Sequence, residues 1–204
     1  MQKADAVMKD AFETWLGGGS SDAATTLMAL NALWGLELGR PELAVLGLKL
    51  GADVPFFLGM RSAFAEGIGE KLVPVTLPAA WYLVLVPPVS VPTAEVFAAQ
   101  ELTRNTKTIT ISSFSAGPGQ YRSGFGHNDL EPVVCSRYPQ VAEHLAWLKQ
   151  QADARMSGSG ACVFAEFATE RAACAAASRM PAGMHGHVVR GLDRHPLGAF
   201  LDES

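Results

Sequence analysis

Apolar positions recur at helical spacing in four stretches of the chain and run together, or alternate, in others. Val7, Met8, Ala11, Phe12 and Trp15 predict a short amphipathic helix over residues 4–15. After three glycines, Ala23, Leu27, Leu30 and Trp34 form the stripe of a second helix ending near Gly35, with Ser20, Ser21 and Asp22 all suited to cap its start. Pro41 at a first-turn position opens PELAVLGLKL, and Gly51 stops it. Pro55 in GADVPFFL argues against further helix. SAFAEGIGEKLVPV reads as two strands around a glycine turn, and WYLVLVPP as a buried strand.

The second half continues differently. Residues 103–127 are rich in Thr, Ser and Gly and predict a loop with one short strand at Thr108–Ile111. NDLEPVV is a capped turn into a helix, and PQVAEHLAWLKQQ a helix with Val141, Leu145 and Leu148 on one face. ARMSGSGACVFAEF is a glycine loop leading into a strand. A helix over 169–180 and a last strand, GHVVRGL, follow. The resulting order of elements after residue 80 predicts an α+β sandwich with an antiparallel sheet, and a division between domains near residue 78.

Composition narrows the possibilities. With 204 residues, 49% apolar and 18% charged, the chain can bury a real core. A net charge of −4 leaves no electrostatic footprint for nucleic acid. No stretch approaches the ~20 apolar residues of a membrane span, and Lys3, Asp5, Lys9, Asp10 and Glu13 break up any leader-like apolar core. Cys135, Cys162 and Cys174 form no CxxC pair, so buried or half-buried free thiols and a reducing, cytoplasmic compartment are expected. His127, His144, His185, His187 and His195 show no metal-binding spacing, and no metal site is expected.

Three short stretches carry candidate chemistry. In LGGGSSD, ahead of a helix, glycines permit positive φ and let successive N–H groups converge on an anion at the positive end of the helix dipole. The lysine of a GxxxxGK[ST] loop is missing, and a flexible turn with a Ser/Asp cap is the plainer alternative. Asp53 in GADVPFF stands among apolar neighbours, where it either caps a turn or accepts a proton from a substrate hydroxyl. Gly158, Ser159, Gly160 and Ala161 form a second glycine nest, which serves equally as a tight turn.

The linked set LGGGSSDAATTLMALNALW, LGADVPFFL, AFAEGIGEKLVPV, HNDLEPVV and SGSGACVFAEF resembles the GHMP kinase superfamily in order and spacing, over about residues 16–200. Within it, the set is most similar to the kinases acting on 4-diphosphocytidyl-2-C-methyl-D-erythritol. The resemblance implies an α+β GHMP fold: a partial N-terminal ATP-binding domain over 1–78 and a C-terminal α+β substrate domain over 79–204. It implies phosphorylation of that small molecule's 2-hydroxyl in the non-mevalonate isoprenoid route, with ATP and Mg²⁺, by a monomer or homodimer.

By position, Leu16, Gly17, Gly18, Gly19, Ser20, Ser21 and Asp22 would match the end of the ATP-phosphate loop. Asp53 would be the catalytic aspartate, also touching substrate, and Phe97 would pack against cytosine. Gly158, Ser159, Gly160 and Ala161 would brace the phosphate loop. The family's opening PAKLNL-like strand motif, with its lysine, and the Tyr-His pair that reads cytidine find no counterpart here. Residues 1–15 resemble nothing in the family. An N-terminally truncated relative with diminished activity is therefore expected. A catalytically silent binding or dimerising module and another GHMP small-molecule kinase are the alternatives.

Overall fold

The computed structural model describes residues 17–67, 69, 71–107, 115–117, 120–121, 126–195 and 198. The helix expected over 4–15, the strand expected at 108–111 and Leu16 lie outside these. The chain forms two compact units. One comprises the described residues up to Pro78 with those from Leu192 onward, the other Ala79–Gly191.

The first unit begins with helices α1 (Gly18–Leu33), α2 (Arg40–Leu50) and α3 (Val54–Leu58), followed by the hairpin β1 (Ala63–Glu66) and β2 (Lys71–Pro74). Its strands pair antiparallel from Ala63↔Pro74 to Glu66↔Lys71. Ala24, Met28, Leu43, Val54, Leu58 and Met60 make its core. The α1–α2 connection is closed by Asn31, which donates to the Leu38 carbonyl at 3.1 Å and accepts from its N–H at 3.0 Å. Gly47 lets α3 approach: a Cβ there would stand 2.8 Å from Val54 Cγ1 and 2.9 Å from Leu58 Cδ1.

Three expectations in this unit are corrected. Helix α1 starts at Gly18 with Gly17 as its cap, so Ser20, Ser21 and Asp22 lie inside its first turns and cap nothing. Pro55 does not exclude helix, because it occupies the first turn of α3, where its missing N–H has no intrahelical partner to lose. The buried stripe of α1 runs through Ala24 and Met28, and Trp34 is 63% exposed.

The second unit is built on a four-stranded antiparallel sheet, ordered β6 (Ala154–Met156), β7 (Val163–Phe167), β3 (Trp81–Leu85), β8 (Gly186–Arg190). Helices α4 (Thr93–Ala98), α5 (Leu130–Arg137), α6 (Pro139–Lys149) and α7 (Glu170–Ala177) complete it, with a small ladder of β4 (Ser115–Gly117) and β5 (Gln120–Tyr121). Alternate strand residues Leu83, Leu85, Val163, Ala165, Ala154 and Met156 share one core with Val96, Val134, Val141, Leu145, Leu148 and Ala176 of the helices. Tyr82 and Phe164, of the opposite parity, meet edge to face at 6.1 Å. The expected α+β sandwich with an antiparallel sheet is the architecture found.

Four elements here escape the hydropathy pattern: α4, β6, and the strands β4 and β5 within the stretch expected to be loop. Helix α4 has six residues, too few for a period, and β6 has three. Cys174 is exposed and not even half-buried, because α7 turns Ala173 and Ala176 inward and leaves it outside that stripe. Cys162, just ahead of β7, is buried as expected.

Candidate functional site

In the first unit, Gly17 adopts φ +77°, and its carbonyl accepts the first helical bond, from Ser21 N–H at 2.9 Å. The N–H groups of Gly18, Gly19 and Ser20 therefore precede the ladder of α1 and have no intrahelical acceptor. They stand at the positive end of a sixteen-residue helix with no acidic side chain in its first turn. A Cβ on Gly17 would press within 3.0 Å of the Phe57 ring, so both its φ and its surroundings call for glycine.

The aspartate turn packs beside this helix end. A Cβ on Gly51 would lie 3.9 Å from Ser20 Oγ, and Phe57 of α3 covers Gly17. Asp53 sits at the cap of α3 and offers its carbonyl to Phe56 N–H at 3.1 Å. Its side chain makes no capping bond and is exposed. Of the two alternatives for Asp53, side-chain capping is therefore not what the structure shows. Among the described residues its carboxylate has no hydrogen-bond or ion-pair partner, which leaves it available to a ligand.

The second unit holds a cleft of about 730 Å³ whose walls include Phe97, Arg104, Asn128, Arg155, Gly158 and Phe164. Phe97, on α4, is 54% exposed. The SGSG loop opposite is shaped by Gly158 at φ +50° and Gly160 at φ +87°. A Cβ on Gly160 would come 3.0 Å from Met156 Sδ. Ser159 and Thr93 hydroxyls share a 2.8 Å hydrogen bond, and Ala161 is fully buried.

Residues that sequence reasoning passed over hold this loop in place. Asn128 Nδ2 donates to the carbonyls of Met156 (3.1 Å) and Gly158 (2.7 Å), while its Oδ1 accepts Leu130 N–H at 3.0 Å. Glu131 accepts Met156 N–H at 2.9 Å and Lys149 Nζ at 2.8 Å. Asp129 Oδ1 accepts from Thr106 at 2.8 Å and lies 2.7 Å from His127 Nε2. The Asn-Asp pair ahead of α5 was legible as a cap; its reach across to β6 was not.

The candidate residues thus fall into two groups. Gly17–Asp22 and Asp53 belong to the first unit, and Phe97 and Gly158–Ala161 to the second. A glycine-led helix end beside an exposed aspartate in the first unit, and an antiparallel α+β unit carrying a glycine loop, are the features that the sequence resemblance leads one to expect. Family models agree: residues 16–60 match the GHMP kinases N terminal domain and residues 116–186 the GHMP kinases C terminal, together more than half of the chain. The chain belongs to the GHMP kinase family, whose members use ATP, generally with Mg²⁺.

Two relatives named 4-diphosphocytidyl-2-C-methyl-D-erythritol kinase stand near it. That of Thiobacillus denitrificans is 60% identical over 188 residues, covering 92% of this chain and 65% of its own length. That of Nitrosospira multiformis is 60% identical over 191 residues, with 92% and 63% covered. A crystal structure of 4-(cytidine 5'-diphospho)-2C-methyl-D-erythritol kinase superposes with a TM-score of 0.69 at 31% identity, over 85% of this chain and 65% of that one. Homoserine kinase from Cytophaga hutchinsonii, at 15% identity and TM-score 0.59 over 86% of this chain and 65% of that one, shares the fold. The chain spans slightly less than two thirds of the length of these proteins.

Proposed function

We propose that this chain carries the phosphate-binding and substrate-binding parts of an ATP-dependent small-molecule kinase acting on 4-diphosphocytidyl-2-C-methyl-D-erythritol. The observation that carries the reading is the free Asp53 carboxylate on a turn packed beside the glycine-led end of α1. The residues present fit a nucleotide phosphate, because the N–H groups of Gly18, Gly19 and Ser20 precede the ladder of α1 without intrahelical acceptors and no acidic side chain shares that first turn. N–H groups of Gly18, Gly19 and Ser20 would hold phosphate oxygens, with Leu16 before them in the sequence and Ser21 and Asp22 following in the first turns of α1. Hydroxyls of Ser20 and Ser21 would reach phosphate or the hydration shell of Mg²⁺. When bound, ATP supplies the phosphoryl group and Mg²⁺ the charge that offsets its oxygens.

Asp53 accepts the proton of the substrate 2-hydroxyl as its oxygen turns nucleophile. Phe97 offers a ring face on which a pyrimidine can stack. The glycine loop of Gly158, Ser159, Gly160 and Ala161 reaches the substrate cleft at Gly158. Residues to 78 serve the nucleotide, and those from 79 the substrate, in a chain that works in the cytoplasm as a monomer or homodimer.

The test is a coupled ADP-release assay with the diphosphocytidyl substrate, run beside Asp53→Asn. A drop of about 10²–10⁴-fold in the variant is expected; equal release from both proteins would defeat the assignment. The second reading, a module that binds or dimerises without catalysis, draws on the exposed Leu33, Trp34, Val45 and Leu50 of the first unit. It predicts ligand binding, or self-association, with no release above background.

A further inference from the structure

Phe97 projects from α4, a helix of only six residues with one buried anchor of its own, Val96. So short a helix has no stability in isolation, and its terminal carbonyls need outside donors. Arg104 supplies them: Nη2 donates to the Phe97 carbonyl at 2.7 Å and to that of Ala99 at 3.2 Å. A cation at this end also meets the negative pole of the helix. The guanidinium is itself preset. Leu102, two residues before it, is buried in the main core, and Thr106, two residues after it, is tied to Asp129. Glu101 is paired with Arg137 of α5 at 2.6 Å, fixing the loop from the other side.

We propose that Arg104 is a positioning residue for Phe97: it fixes the short helix that presents the ring to the cleft, and so sets affinity for the pyrimidine nucleoside part of a ligand. This rests on the functional reading above. Arg104 acts through the backbone of α4, so its effect belongs to the nucleoside and is independent of any phosphate the ligand carries.

Cytidine and cytidine 5′-diphosphate, titrated calorimetrically into the full chain and its variants, separate the possibilities. Arg104→Gln should weaken both ligands by the same factor, roughly fivefold for two lost charge-assisted bonds in an exposed setting. Arg104→Lys, which keeps a cation in reach of one carbonyl, should restore most of it. In a Phe97→Ala background, Arg104→Gln should cost nothing more. Amide exchange at Val96–Ala99 should speed up in Arg104→Gln and recover in Arg104→Lys. A loss confined to the diphosphate would mean that Arg104 touches phosphate, and full additivity with Phe97→Ala would likewise overturn the role. Unchanged exchange in α4 would overturn it alone. Failure of the unsubstituted chain to bind either ligand would overturn the functional reading and this role together.

Discussion

Gly17 lies directly against Phe57, with room for no atom between them: a Cβ would meet ring carbons Cε2 and Cζ at 3.0 Å. Gly17→Ala carries two penalties, the φ of +77° and the ring that must move. A loss of about 1–3 kcal/mol is expected in denaturant titration. Gly17→Ala combined with Phe57→Ala relieves only the contact, so relative to Phe57→Ala alone the glycine change should still cost about 1 kcal/mol. A cost that vanishes in that background would show the ring alone to matter.

Glu131 joins three segments, accepting from Met156 N–H on β6 and from Lys149 on α6 while it sits in the first turn of α5. Its carboxylate side chain is 19% exposed. Glu131→Gln keeps an acceptor for Met156 and loses the ion pair, for which about 1 kcal/mol is expected. Glu131→Ala leaves the Met156 N–H without its acceptor and should cost about 2–3 kcal/mol. Thermal unfolding of the two variants orders these effects; an equal loss would place the stabilisation in the ion pair.

Cys162 is 1% exposed, and burial pushes its thiol up to about 11. The unfolded thiol ionises nearer 9, so between about pH 9 and 11 the unfolded chain sheds this proton first and is favoured. Stability from this group is intact below pH 9 and declines as pH rises through that window. Compared with Cys162→Ala, the parent should lose roughly 2 kcal/mol more between pH 8 and 11. At pH 8 a thiol reagent should modify exposed Cys174 first and spare Cys162 in the folded protein. Parallel pH dependence in parent and variant would refute the linkage.

The elements legible in the sequence are those long enough to show a period or bounded by strong punctuation. Val141, Leu145 and Leu148 mark α6 because three turns repeat the same face, and all three are buried. Gly51 and Pro41 delimit α2 by local chemistry alone. Helix α4 and strand β6 were hidden because six and three residues carry no period. The candidate site divides the same way. Glycines and Asp53 announce themselves by residue type, whereas the roles of Asn128, Glu131 and Arg104 arise from bonds to backbone far along the chain. Trp34 misled for a different reason. Its apolar face is exposed in this chain, and the hydropathy pattern records that a surface is apolar but not what covers it.

Helix α2 makes that last point measurable. It buries Leu43 and Gly47 and exposes Val45, Leu48 and Leu50, so it is apolar on nearly every side. Helices of that kind belong in the interior of a larger body. With Leu33 and Trp34 also exposed at the end of α1, the first unit presents an apolar surface that water does not favour. The isolated chain should therefore self-associate at micromolar concentration, read by sedimentation velocity. Val45→Lys with Leu50→Lys removes apolar area from positions outside the core, so the fold should persist while association weakens at least tenfold. An unchanged sedimentation profile in the doubly substituted chain would place the contact on another surface. A monomeric parent would mean that this face is tolerated in water and drives no association.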